Sequence, residues 1–135
     1  MSVVLDSNLW ISAFIFRGKP LELVEMGLDR LVDIAVSQSI MDETLRVMKD
    51  KFHAKPIVLE SALFIMTTSA RMVEPVIHVK AVRDDPDDDH VVSCAIAAGA
   101  EAIITGDKHL LRMGTYEGIK ILRLEEFLRR GQGKG

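Results

Sequence analysis

The chain is short of cysteine, of aromatic residues and of excess positive charge, and each shortage narrows what it can be. A single cysteine, Cys94, excludes an internal disulfide and suits a reducing cytoplasm. Aromatic residues are 5% of the chain against 48% hydrophobic overall, so the core is expected to be aliphatic, built of Val, Ile, Leu and Ala. No apolar run approaches the ~20 residues of a membrane-crossing helix. Met1 leads directly into strand-like Val3-Val4-Leu5, which leaves no room for a signal peptide and points to a cytoplasmic protein without a membrane partner. With 17 Lys+Arg against 20 Asp+Glu, the net charge of −3 is not that of a protein that coats nucleic acid nonspecifically. Several motifs are missing as well. There is no GxxxxGK phosphate loop, no GxGxxG after a strand and no GxSxG elbow to supply an acyl-transfer nucleophile.

What the chain does have is concentrated acid. Arg83-Asp84-Asp85-Pro86-Asp87-Asp88-Asp89-His90 holds five aspartates in six positions, with a proline that signals a helix start. One aspartate would suffice as a cap. Five repel one another, and a helix dipole offsets only part of that cost, so a cation is the natural missing partner. The run is not an EF-hand loop, because it lacks the glycine at the sixth position and the glutamate at the twelfth. With these acids set aside, the remaining surface is near neutral or mildly basic, with local groups such as Lys49 to Lys55 that leave a nucleic-acid substrate open.

At 135 residues, without repeats or low-complexity linkers, the chain reads as one domain over 1–130 with a glycine-rich flexible tail at 131–135. Val3–Leu5, Leu31–Val36, Pro75–Val79, Ala102–Thr105 and Ile119–Leu122 are strand candidates, the third at an edge because of its proline. Helices are predicted between them: one over Trp10–Ile15, one from Pro20 to near Gly27, and one starting at Ser37–Ser39 with Ser39 and Asp42 as a capping box. Others run from Pro56 to Met72, from the acidic run to a Gly99 cap, from Asp107 through Leu111, and from Glu125 to Arg130. Short, continuously apolar strands alternating with helices predict an α/β three-layer sandwich whose central sheet is mostly parallel, with four or five strands.

In such sheets, ligands sit outside the carboxyl ends of the strands. Asp6 ends the first strand, Asp107 follows the strand that ends at Thr105, Asp89 starts a helix, and Glu43 lies one turn into the helix after the second strand. A parallel sheet brings all four to one rim. Singly, each acid has an ordinary explanation as a helix cap or a solvated helix acid. Together they meet the demand of Mg2+ for several oxygens with water completing the shell. Ser7, Asn8 and Thr105 add neutral oxygens nearby, whose ordinary role is turn hydrogen bonding. His90 reads as a solvated first-turn residue, and Cys94 as a small buried hydrophobe.

These motifs resemble those of the PIN domain, a metal-dependent ribonuclease fold common as the toxin of bacterial and archaeal toxin–antitoxin pairs. The similarity covers roughly Ser2 to Leu128. Val4-Leu5-Asp6-Ser7-Asn8 is similar to the family's opening strand and first acid, with serine in place of the more frequent threonine. Met41-Asp42-Glu43-Thr44-Leu45 resembles the helix bearing the family's glutamate. Asp85 to Asp89 resembles the approach to the third acid, Asp89, and Thr105-Gly106-Asp107 the Thr-x-Asp of the fourth strand.

The resemblance implies hydrolysis of single-stranded RNA with one or two Mg2+ or Mn2+ ions. Asp6, Asp89 and Asp107 would be direct or water-bridged ligands and Glu43 would position the metal or its water, with Ser7, Asn8, Asp88 and Thr105 as accessory groups. Arg17, Lys19, Lys49, Lys51, Lys108 and Arg112 are candidates for holding the RNA backbone, each with an ordinary role as a solvated charge. An antitoxin protein and a second copy of the chain are the implied protein partners. Two other readings compete. A Mg2+-dependent phosphatase of the haloacid-dehalogenase type also places an aspartate after its first strand, but needs an acid two residues on, where this chain has Asn8. A non-catalytic PIN-like binding module is the other.

Overall fold

The structure is a computed structural model, described here over residues 1–76 and 88–133. In chain order its elements are β1 (Ser2–Leu5), α1 (Ser7–Ile15), α2 (Gly18–Leu28), β2 (Asp33–Ser37), α3 (Gln38–Phe52), α4 (Pro56–Ser69) and β3 (Ala70–Val73). They continue with α5 (Asp88–Ala98), β4 (Ala102–Ile104), α6 (Lys108–Met113), β5 (Thr115–Tyr116), β6 (Ile119–Leu122) and α7 (Leu124–Gly133). The described strands form one sheet in the order β3-β2-β1-β4-β6-β5. All neighbouring pairs are parallel except β5 with β6.

β1 is the innermost strand because Val3, Val4 and Leu5 are all apolar and fully buried, as a strand covered on both faces requires. Val4 pairs in register with Ala35 of β2 on one side and Ile103 of β4 on the other. From β1 the chain steps outward to β2 and β3, then returns past β1 to β4 and β6. Right-handed crossovers in these two directions place α1–α4 on one face of the sheet and α5 on the other, which is the expected three-layer sandwich. The direction reverses between β1 and β4, and that switch point is where open α/β sheets leave a crevice at their carboxyl rim.

Several local expectations shift. Among the described residues the sheet has six strands rather than four or five, because a two-residue β5 folds onto β6 through Glu117 and Gly118, both at positive φ. Such a primed turn needs no apolar run to announce it. The third described strand is Ala70–Val73; of the predicted strand Pro75–Val79, residues 77–79 lie outside the described residues. Accordingly α4 stops at Ser69, three residues before the predicted Met72. β3 is an edge strand as expected, but with Arg71 and Met72 exposed it has no apolar signature; Arg71 pairs with Asp33 of β2 at 3.0 Å. The cap of α3 is Ser37, whose hydroxyl accepts from the Ile40 amide, rather than Ser39. Finally, α7 continues to Gly133, through most of the segment predicted as tail.

A main core of aliphatic side chains surrounds the sheet. A smaller cluster of Ile11, Met48 and Ala62 joins α1, α3 and α4. That joint has a consequence at the rim, because it fixes the start of α1 relative to α3.

Candidate functional site

Asp6 follows directly from β1 and is held there by its backbone, whose amide donates to the Ile104 carbonyl of β4 at 3.2 Å. It therefore stands at the switch point itself. Its carboxylate is the N-cap of α1: Oδ1 accepts from the Leu9 amide at 2.9 Å. The other oxygen, Oδ2, accepts from the Thr105 hydroxyl just past β4. Thr105 is fully buried, and its oxygen in turn accepts from the Asp107 amide at 2.9 Å. Asp107 caps α6 by accepting from the His109 amide at 2.7 Å. Both aspartates are thus helix caps, as their ordinary reading has it, and the same turns bring them together through one threonine.

Glu43 reaches this place from the other side. It lies half-buried on α3, and its Oε1 accepts from the Ser7 hydroxyl at the first position of α1. The electrostatics record the convergence. Asp6 is only 3% exposed, and burial pushes its carboxyl up to about 6. The bonds from Thr105 and Leu9 oppose that rise, while the charges of Asp107 and Glu43 add to it. A buried carboxylate pressed by two others is a place where a cation restores balance, so the donor set fits a hard, oxygen-seeking divalent ion. Among the described residues, however, no three acidic, histidine or cysteine side chains stand close enough to grip one ion together. An ion here would keep much of its water, as Mg2+ does.

The other predicted residues divide clearly. Asp89 lies half-buried in the first turn of α5, which starts at the same carboxyl rim. The side chain of Asp88 and the whole of Asp84, Asp85 and Asp87 lie outside the described residues. Asn8 is exposed and lines a cavity of about 260 Å3 together with Asp6, Leu9, Ser12, Gly106 and Asp107. Ser12 and Gly106 were not anticipated, although the four-residue spacing of Asn8 and Ser12 puts them on one helix face. Lys108 follows Asp107 in the first turn of α6, and Arg112 comes one turn later, both exposed. Arg17 and Lys19 are exposed at the start of α2. Lys49 and Lys51 occupy the last turn of α3, roughly 9–12 Å of helix beyond Glu43, where they complement the helix dipole. His90 is exposed as expected. Cys94 is fully buried, and burial pushes its thiol up to about 11, which makes it unreactive.

Comparison with known proteins agrees with this architecture. The family model for the PIN domain matches residues 2–109. Among solved structures, VapBC2 from Rickettsia felis, bound to a DNA fragment from its promoter, superposes with a TM-score of 0.66 at 19% identity, covering 90% of this chain and 97% of that one. The PIN domain of T. brucei RRP44 superposes with a TM-score of 0.50 at 14% identity, covering 98% of this chain and 82% of that one. At such identities the likeness is one of fold. No curated protein sequence matches the chain. Among the described residues no helix is long and apolar enough to cross a membrane.

Proposed function

Because the chain belongs to the PIN-domain family, we propose that it is a metal-dependent ribonuclease acting on single-stranded RNA, and the toxin partner of an antitoxin protein. The observation that carries this reading is the convergence on Asp6 of Thr105, Asp107 and Glu43 at the switch point of the sheet. The likeness to VapBC2 supports the antitoxin partner.

In this reading Asp6 and Asp107 would hold Mg2+ or Mn2+, and Asp89 would complete the set from α5. The chemistry such an ion supplies when bound is polarisation of the phosphodiester and acidification of the attacking water. The chain's own residues prepare the place. Thr105 fixes one carboxylate oxygen of Asp6 and, through the Asp107 amide, the turn that carries the second acid. Ser7 holds Glu43 toward the same point. Lys108 and Arg112, exposed on the helix that Asp107 caps, would meet the RNA backbone in this reading. A phosphatase of the haloacid-dehalogenase type is set aside by the family, and Asn8 stands where its general acid would be needed.

Incubation of single-stranded RNA with the purified protein tests the proposal. Cleavage is expected with Mn2+ or Mg2+, and none with EDTA or with Asp6→Asn. Equal cleavage by that variant would assign the activity to a contaminant. If no RNA is cut while calorimetry detects tight binding of a protein encoded beside this one, the chain is a binding module.

A further inference from the structure

The cavity beside Asp6 and Asp107 is not lined by acids alone. One wall is formed by Asn8, Leu9 and Ser12 of α1, Gly106 joins the lining, and no basic side chain is among the lining residues. A phosphate would find no positive charge on that wall. An amide and a hydroxyl beside an apolar side chain suit a neutral, planar group bearing hydrogen-bond donors and acceptors.

The hydroxyl of Ser12 differs from most described hydroxyls in the bodies of helices. Thr44, Ser61, Thr67, Thr68 and Ser69 also lie inside helices, and each bonds back to the carbonyl four residues earlier. Ser12, in the body of α1, makes no such bond, and neither it nor the Asn8 side chain hydrogen-bonds another described residue. Asparagine is a poor helix former, yet Asn8 occupies the second position of α1 and lines the cavity. Two polar side chains one turn apart are therefore left uncommitted beside the candidate metal position.

We propose that Asn8 and Ser12 read the base of the nucleotide that flanks the scissile phosphate, with Leu9 as the apolar surface beside it, so that this wall sets which RNA sequence is cut. The inference rests on the ribonuclease reading above. An asparagine amide presents a donor and an acceptor side by side, the pattern that matches a base edge, and such a pair discriminates between bases by ~1–3 kcal/mol, or about 5- to 150-fold.

The test is to cut a randomised single-stranded RNA pool with Mn2+ and sequence the new ends, comparing the protein with Asn8→Ala, Asn8→Asp and Ser12→Ala. The readout is the base frequency at each position around the cut, which does not depend on total rate. Wild type is expected to prefer one base by at least about fivefold at a flanking position. Asn8→Ala should flatten that position to less than about twofold while leaving the others unchanged, Asn8→Asp should shift the preference to a different base, and Ser12→Ala should weaken it. An unchanged profile in all three variants, or a wild type without preference beside its cut, overturns the assignment of this wall while leaving the nuclease intact. A wild type that cuts nothing overturns the ribonuclease reading, and this inference with it.

Discussion

Replacing Asp6 with asparagine removes a charge from a side chain that is 3% exposed, and the metal-free protein should become more stable as a result. The carboxyl titrates near 6 in the folded chain against an ordinary 3.8, so the folded state binds the proton more tightly than the unfolded state. Below pH 3.8 both states are protonated and nothing is lost. As the pH rises towards 6 the unfolded chain ionises first, and stability falls. Above about pH 7 the full cost of that rise from 3.8 to about 6, about 3 kcal/mol, is in place. Asparagine avoids that cost and remains a good cap for α1. It does disturb the bond from Thr105, whose oxygen already accepts from the Asp107 amide, which costs about 1 kcal/mol. The net gain at pH 7.5 is then about 2 kcal/mol, or on the order of 5–10 °C in Tm. Urea or thermal denaturation in EDTA from pH 4 to pH 8 measures it. The advantage should shrink to zero or reverse towards pH 4. Added Mn2+ should stabilise the wild type and leave the variant unmoved. A variant no more stable than wild type at pH 7.5, or an advantage that grows on acidification, would refute the account of Asp6 as a carboxylate strained by burial.

Three further outcomes follow from the same geometry. Thr105→Val keeps the shape of the side chain but removes the donor to Asp6 and the acceptor for the Asp107 amide; Mn2+-dependent cleavage should fall about 10- to 100-fold with the circular dichroism spectrum unchanged. Charge reversal at Lys108 should weaken RNA binding and flatten its salt dependence by about one phosphate contact, whereas reversal at Lys49 and Lys51 together should leave both unchanged, as anisotropy titrations at several ionic strengths would show. Gly27→Ala places a Cβ 2.6 Å from Ile34 Cδ1 and 2.8 Å from the Ser69 carbonyl; because the second neighbour is backbone, α2 must shift, and urea melts should show a loss of about 1–3 kcal/mol.

How much of this was legible from residue order depends on the range over which each signal acts. Val3-Val4-Leu5 and Ala102-Ile103-Ile104 are short apolar runs, and their burial on both faces could be read directly, as could the cap at Gly99. The strand Ala70–Val73 could not, since it lies at the sheet edge and owes its place to pairing with β2 rather than to its own pattern. The same holds for β5, which is specified by two positive-φ residues and a partner strand. At the site, strand ends predicted the meeting of Asp6 and Asp107, because a parallel sheet leaves little choice about where the residue after a strand goes. What order alone could not supply was the intermediary. Thr105 appeared as one neutral oxygen among several, yet it is the only described side chain whose hydroxyl donates to Asp6 while its oxygen receives the Asp107 amide. The dense aspartate run is the most visible acidic feature of the sequence, but most of it lies outside the described residues, while Asp107 and Glu43, distant in the chain, are charges that act on Asp6. Local density of charge measures repulsion along the chain; a metal site depends on charges brought together from distant parts of it. Asp6→Asn and Thr105→Val probe that convergence directly, because neither substitution changes the charge of the run itself.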